Sequence, residues 1–209
     1  MRASTQDGSR EWITLLACIC GDGSALPPSL IYSAANKAVR SSWVEDIEAT
    51  KHSVFVTSSP SGWTNNDVGL AWLEQVFDRY TKAKARRAYR LLILDGHGSH
   101  VTMDFIEYCY NNKILLAIYP PHSTHTLQPL DVVCFKPLST AYSLELSTHL
   151  HNSQGLLAIK KGDFFPLFWT AWINSFKEKT ILKSFKATRI SPFKPNTILK
   201  RFNNTTLEA

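Results

Sequence analysis

Arg90-Leu91-Leu92-Ile93-Leu94-Asp95-Gly96-His97-Gly98-Ser99-His100 is the stretch that decides the fold. Four apolar residues in a row, Leu91 to Leu94, predict a strand buried on both faces. A carboxylate, Asp95, follows at once. Gly96 and Gly98 then supply backbone freedom for a sharp turn. A charge at the carboxyl end of a buried strand adds little stability, and in open α/β sheets ligands and metals bind at that edge. The competing reading is that Asp95 caps the loop or the helix behind it.

Downstream, Thr102 is placed to cap a helix with Met103, Ile106, Cys109 and Tyr110 on one face. Ile114-Leu115-Leu116-Ala117-Ile118-Tyr119 is a second continuous apolar strand, stopped by Pro120-Pro121. Strand, helix and strand at this spacing predict a parallel βαβ unit with a right-handed crossover. His122-Ser123-Thr124-His125-Thr126-Leu127-Gln128 leads into a third helix with Pro129 in its first turn. Asp131 then stands at a helix N-terminus, leaving the same edge of the sheet as Asp95, with 35 residues between the two. Carboxylates converging on one point suit magnesium, which takes oxygen ligands and keeps several waters. Two such ions roughly 4 Å apart activate the attacking oxygen and stabilise the leaving one in phosphodiester chemistry.

Upstream, Thr64-Asn65-Asn66-Asp67 reads as a helix start with Thr64 as cap, followed by a core stripe of Trp72, Leu73, Val76, Phe77 and Tyr80. A basic cluster closes this helix: Lys82, Lys84, Arg86, Arg87 and Arg90. It is either a solvated helix end, favoured by the dipole, or a phosphate-contacting surface. Before it, Trp12 to Cys20 reads as a strand, Gly21-Asp22-Gly23 as a hairpin turn, Ser29 to Tyr32 as the returning strand, and Val54 to Val56 as a short strand.

Composition is compatible with this α/β reading. Six Trp, 11 Phe and 44% apolar residues in 209 exclude a disordered chain. The net charge of +6 fits a polyanion partner and equally a mildly basic soluble protein. Cys18, Cys20, Cys109 and Cys134 form no CxxC pair and read as reduced core residues. The apolar run Ile13 to Cys20 is too short to span a bilayer, and the first eight residues carry no secretory h-region, so no membrane partner is expected.

His97, His100, His122 and His125 form two H-x-x-H pairs. They lack the helical H-E-x-x-H context of zinc hydrolases. We read His97, His100 and His125 as groups that orient the carboxylates or the loop backbone. Ser99 beside His100 lacks a G-x-S-x-G elbow, so a nucleophilic triad is not expected.

Past His151, Asn152-Ser153-Gln154-Gly155 and Lys160-Lys161-Gly162 read as linkers. Asp163 is read as the cap of a helix bearing Phe165, Trp169, Trp172 and Phe176, and a second helix is expected over about Glu178 to Ala187. From Lys177 to Arg201 there are eight Lys or Arg and one acid, Glu178. Lys183, Lys186 and Arg189 in this stretch, with Lys82, Lys84, Arg86 and Arg87, are the candidate phosphate contacts. A solvated basic tail is the alternative.

Two segments resemble the DDE transposases of the pogo/Tigger type, the family that includes centromere protein B relatives. They are Leu92-Ile93-Leu94-Asp95-Gly96-His97-Gly98-Ser99-His100 and Tyr119-Pro120-Pro121-His122-Ser123-Thr124-His125-Thr126-Leu127-Gln128-Pro129-Leu130-Asp131. Arg10-Glu11-Trp12-Ile13-Thr14, Gly62-Trp63-Thr64 and Ile190-Ser191-Pro192-Phe193-Lys194-Pro195 resemble further family segments in the same order.

The resemblance implies a ribonuclease H-like mixed sheet flanked by helices, nuclear DNA as partner, and three acids holding two Mg2+ (or Mn2+) ions for strand cleavage and transfer. Asp95 matches the second acid and Asp131 the third. No small-molecule substrate is implied, and homo-oligomerisation is left open.

The sequence departs from the pattern at the first acid, which the family carries on a strand well before the Arg10-Glu11-Trp12 motif. The chain begins nine residues before Arg10, and Asp7 and Asp22 sit in turns. Nor is the family's helix-turn-helix region seen. The expectation is therefore a domain over 1–150 lacking its first strand, with a C-terminal helical extension over 151–209. Leu91 to Leu94 would then want a hydrogen-bonding neighbour on one side, which predicts poor stability or solubility. Arg189 stands where the family usually has Gly; at a positive-φ site that costs about 1 kcal/mol. Two functions follow: a metal-dependent endonuclease lineage whose isolated chain is inactive, or a domesticated, non-catalytic DNA-binding or chromatin protein.

Overall fold

The structure, a computed structural model, describes residues 13–36, 38–96, 102–152 and 159–203. Among the described residues, five strands form two small sheets flanked by helices, and the strands of the first do not pair with Leu91 to Leu94. In the first, β1 (Ile13–Leu16) pairs antiparallel with β2 (Ser29–Ser33), and β2 pairs parallel with β3 (Phe55–Ser59). The hairpin forms where expected. Gly23 takes φ of 90°, which a side chain would resist, and Asp22 Oδ1 accepts from the Ser24 N–H at 2.9 Å. An isolated bridge, Ile19 to Ala25, extends the β1 side beyond the strand itself.

The helix after β3 begins one residue later than its sequence suggests. Asn65, not Thr64, is the cap, its side chain accepting from the Val68 N–H at 2.9 Å. An Asn oxygen reaches the third helical amide as readily as a Thr hydroxyl, so adjacent candidates cannot be separated by type. α1 (Asn66–Trp72) runs through a π-helical turn (Leu73–Asp78) into α2 (Arg79–Thr81). Leu73, Val76 and Phe77 are buried, as the stripe required.

The second sheet is the parallel pair β4 (Arg90–Leu94) and β5 (Ile114–Ile118), joined through α3 (Met103–Asn111). Thr102 caps α3 by accepting from the Phe105 N–H. The buried face of α3 is Phe105 and Cys109; Met103 and Tyr110, expected inward, are exposed. β4 departs from expectation too. Leu92 is buried against Phe77 and Phe105, but Leu91 is 59% exposed and its partner Leu115 53%. The sheet is covered on one face, so a continuous apolar run does not here mean burial on both.

The rest is helical. α4 (Thr124–Leu127) precedes a π-helical turn (Leu130–Cys134) that continues into α5 (Phe135–Asn152). α6 (Phe164–Ser175), α7 (Glu178–Thr188) and α8 (Pro195–Asn203) follow. Phe165, Phe168, Ala171 and Trp172 of α6 share one core with Leu30 and Tyr32 of β2 and Leu138 of α5. Asp163 does not cap α6 with its side chain. Its carboxylate turns back to accept from the Lys160 N–H at 2.8 Å. Arg189 ends α7 in the left-handed conformation at φ of 59°.

Candidate functional site

Asp95 leaves the carboxyl end of β4 half-buried. Gly96 does not take a positive φ, so the turn after β4 does not draw on glycine at that position. His97 and His100 lie outside the described residues.

On the neighbouring strand, Pro120-Pro121 ends β5, and Ser123 Oγ donates to the Pro120 carbonyl at 2.7 Å. His122 turns the chain at φ of 58°. Pro129, with φ fixed near the helical value, starts the π-helical turn that carries Asp131 in its first residues. α7 packs against that turn. There the buried Ser184 hydroxyl bonds the Cys134 thiol, whose pKa burial raises.

Asp95 and Asp131 line the same cavity of about 930 Å³. Tyr119 also lines it, its phenol pushed up to about 12 by burial and then by the negative charge of Asp131. A neutral phenol thus lies within electrostatic reach of that carboxylate. Gln128 Oε1 and Trp72 Nε1, both on the cavity wall, are buried without a hydrogen-bond partner among the described residues. His125 is exposed on α4 and does not line the cavity, though Thr124 and Gln128 beside it do. Tyr119, Gln128 and Trp72 escape sequence reading because aromatic and amide side chains in apolar segments look like ordinary packing. For Tyr119, its position at the end of β5 before two prolines is the available signal.

The donor set meets part of what a metal needs. Magnesium is commonly held by one or two carboxylates plus substrate phosphates and water. Asp95 and Asp131 are two such carboxylates on the cavity wall. Among the described residues there is no group of three or more His, Cys, Asp or Glu able to hold an ion by themselves.

The basic residues fall into different settings. Lys84 is paired with Asp22 at 3.1 Å, and hydrogen bonds from Ser24, with a lesser part from Lys84, hold the Asp22 carboxyl down at about 2. Lys82 lies 3.5 Å from Asp78. Arg86 and Arg87 are exposed, both at positive φ, in the loop entering the amino end of β4, so they sit at the opposite end of that strand from Asp95. Lys183 and Lys186 are exposed on α7.

Arg90, which the sequence groups with the basic cluster, is instead a buried structural residue. Its Nη1 lies 2.7 Å from Asp78 Oδ1 and its guanidinium donates to Thr81 Oγ1 and to the carbonyls of Asp78 and Asn112. Tyr108 donates to Asp78 from α3. Burial and the Asp78 charge push the Tyr108 phenol up to about 12.

Residues 9–185 match the family model described as DDE superfamily endonuclease. A Cochliobolus lunatus protein named as an MFS-type transporter, clz9, is 38% identical over 185 residues, covering 87% of this chain and 19% of that protein. The mouse pogo transposable element with KRAB domain is 30% identical over 187 residues, covering 85% of this chain and 29% of the mouse protein. Its human namesake is 29% identical over the same length. The chain thus spans less than a third of these relatives. No solved structure matches it. Among the described residues, no helix is long and apolar enough to cross a membrane.

Proposed function

The chain belongs to the DDE superfamily endonucleases, a pogo-type transposase-derived domain, and from that premise we propose that it binds DNA in the nucleus and presents two of the three acids of a phosphodiester-cleaving site. The observation that carries the proposal is that Asp95, at the end of β4, and Asp131, in the π-helical turn after α4, line one cavity. In this reading the fold is ribonuclease H-like, and β4 and β5 supply the sheet edge on which the acids stand.

Mg2+ or Mn2+, when bound, supplies charge neutralisation at a phosphate and lowers the pKa of a water. The chain's own residues do the rest. Asp95 and Asp131 hold oxygen-ligand positions, the second oriented by the Pro129 turn and the α7 contact. Tyr119 stays protonated near neutral pH within reach of the Asp131 charge. His97, His100 and His125 are assigned the role of orienting the carboxylates or the loop backbone.

Lys183, Lys186 and Arg189 on and after α7, and Arg86 and Arg87 before β4, are assigned to the DNA backbone. Lys82 and Lys84 join them only by leaving Asp78 and Asp22. Asp95 and Asp131 alone do not complete a two-metal site, so with these two acids alone DNA is bound and not cut. That is also the behaviour of a domesticated, non-catalytic DNA-binding protein.

The test is Mn2+ binding, read from the free-ion electron paramagnetic resonance signal, with and without a DNA duplex. The proposal expects DNA-assisted Mn2+ uptake that Asp95→Asn and Asp131→Asn each abolish while salt-sensitive DNA binding persists. Uptake that neither substitution changes would sink it.

A further inference from the structure

We infer that the outward face of α3 docks on the outward face of α7 of a second copy of this chain. Met103, Ile106 and Tyr110 stand at i, i+3 and i+7 along α3, the spacing of a single helix face. The sequence reads that face as core, and the fold leaves it open: Met103 is 76% exposed, Ile106 41% and Tyr110 85%. What α3 buries is Phe105 and Cys109, in one core with Leu92 and Ile114. Large exposed apolar side chains gathered on one helix face mark a contact surface.

Charge selects the occupant. α3 carries two acids, Asp104 and Glu107, both exposed, and no Lys or Arg. In a chain of net charge +6 this is an acidic, apolar face. It repels a phosphate backbone and an anionic lipid surface alike. A second α3 across a two-fold axis would set carboxylates against carboxylates, which is unfavourable. The face calls for a helix on which lysines flank an apolar side chain. α7 is such a helix. Lys179, Leu182, Lys183 and Lys186 stand at i, i+3, i+4 and i+7, all exposed. Glu178, the one acid of α7, packs its stem over Gly23 instead, where an added Cβ would lie 2.7 Å from its Cγ. Leu182 lies beside the same glycine and is still 41% exposed.

Both stripes are exposed within one chain, so the pairing is between copies. Among the described residues, the ion pairs involve none of Asp104, Glu107, Lys179, Lys183 and Lys186. Docking seats Met103, Ile106 and Tyr110 on Leu182 and the lysine stems, with the ammonium groups turned to the two carboxylates. Each stripe runs about 10 Å, so the contact belongs with weak, reversible interfaces of less than about 1,200 Å². Because α3 meets α7 and not itself, a two-fold dimer makes the contact twice. Lys183 and Lys186 are also assigned to the DNA backbone. The contact does not rest on that reading, but where both hold, duplex DNA and a second copy exclude each other on α7.

The experiment is sedimentation velocity on the full chain, free of DNA, with two charge-reversed variants. One carries Asp104→Lys with Glu107→Lys, the other Lys179→Glu with Lys183→Glu. The wild-type chain is expected to self-associate at about 0.1–0.5 mM, more weakly as salt rises. Each variant alone sets like charge against like and should weaken association by about tenfold or more. Mixed in equal amounts, each supplies the face that the other lacks, and association returns; a misfolded variant could not give this result. Ile106→Ser with Tyr110→Ser should weaken association with the melting temperature unchanged. A wild-type chain that stays monomeric over this range would overturn the contact. So would a reversed or serine variant that associates as the wild type does, or a mixture that stays monomeric while both variants keep the wild-type circular dichroism. Association that persists with duplex DNA bound would keep the contact and take α7 off the DNA surface.

Discussion

Arg90→Met isolates the contact that fastens the long helix to the β4–β5 sheet. Arg90 and Asp78 are 8% and 6% exposed, and their charged atoms lie 2.7 Å apart. Replacing Arg90 leaves the Asp78 carboxylate buried with the Tyr108 hydroxyl at 3.3 Å and the exposed Lys82 ammonium at 3.5 Å. Removing one partner of a buried pair costs about 3–5 kcal/mol, mainly because the other charge is left uncompensated. The Thr81 hydroxyl and the Asn112 carbonyl also lose their donor, which places the effect in the upper half of that range. A domain stable by about 5–15 kcal/mol loses much of its margin at that cost. Adding Asp78→Leu removes the stranded charge and should recover about 1–3 kcal/mol of coupling. Urea unfolding followed by circular dichroism reads both values. A loss below about 1 kcal/mol for Arg90→Met, together with weaker DNA binding, would refute the structural assignment and return Arg90 to the basic cluster.

Three further outcomes follow from single observations. Arg189→Gly should raise stability by about 0.5–1 kcal/mol, because the α7 cap sits at φ of 59° and glycine takes that conformation without strain; an unchanged unfolding midpoint would count against it. Lys183→Ala with Lys186→Ala should weaken DNA binding uniformly across sequences and flatten the log–log salt slope by about 2, with the melting temperature unchanged; an unaltered slope would exclude this face of α7. Tyr32, Tyr108 and Tyr119 all have phenols raised to about 12 in the fold, against 10 when unfolded. Above pH 10 the unfolded chain loses protons that the folded chain keeps, so stability should be intact below pH 10 and fall as pH rises towards 12. Phenolate absorbance tracking ordinary tyrosine titration before unfolding would contradict this.

The βαβ unit was legible because its signals are local: two apolar runs, a capping Thr102 and two prolines at fixed spacing. Asp95 stands directly behind such a run, whereas Asp131 lies twelve residues past the second run and is marked only by Pro129 before it. Burial was not. Whether Leu91 is covered depends on what packs over the second face of β4–β5, and no residue near Leu91 carries that information. The Asp78–Arg90 pair was missed because one partner lies in a helix and the other inside a charge cluster; only the fold brings them together. The same holds for Lys84, whose partner Asp22 is 62 positions away. The cap at Asn65 shows the limit of resolution in a stretch where each residue from Thr64 to Asp67 is chemically able to start a helix.

The central claim is that Asp95 and Asp131 are two legs of one metal site. Anomalous diffraction from crystals of the chain bound to a short DNA duplex in Mn2+ tests it most directly. The account predicts a manganese peak at a coordination distance of about 2.1–2.2 Å from an oxygen of each carboxylate, with a phosphate oxygen on the same ion. A well-ordered DNA complex with no peak between the two, or with manganese held elsewhere, would contradict it.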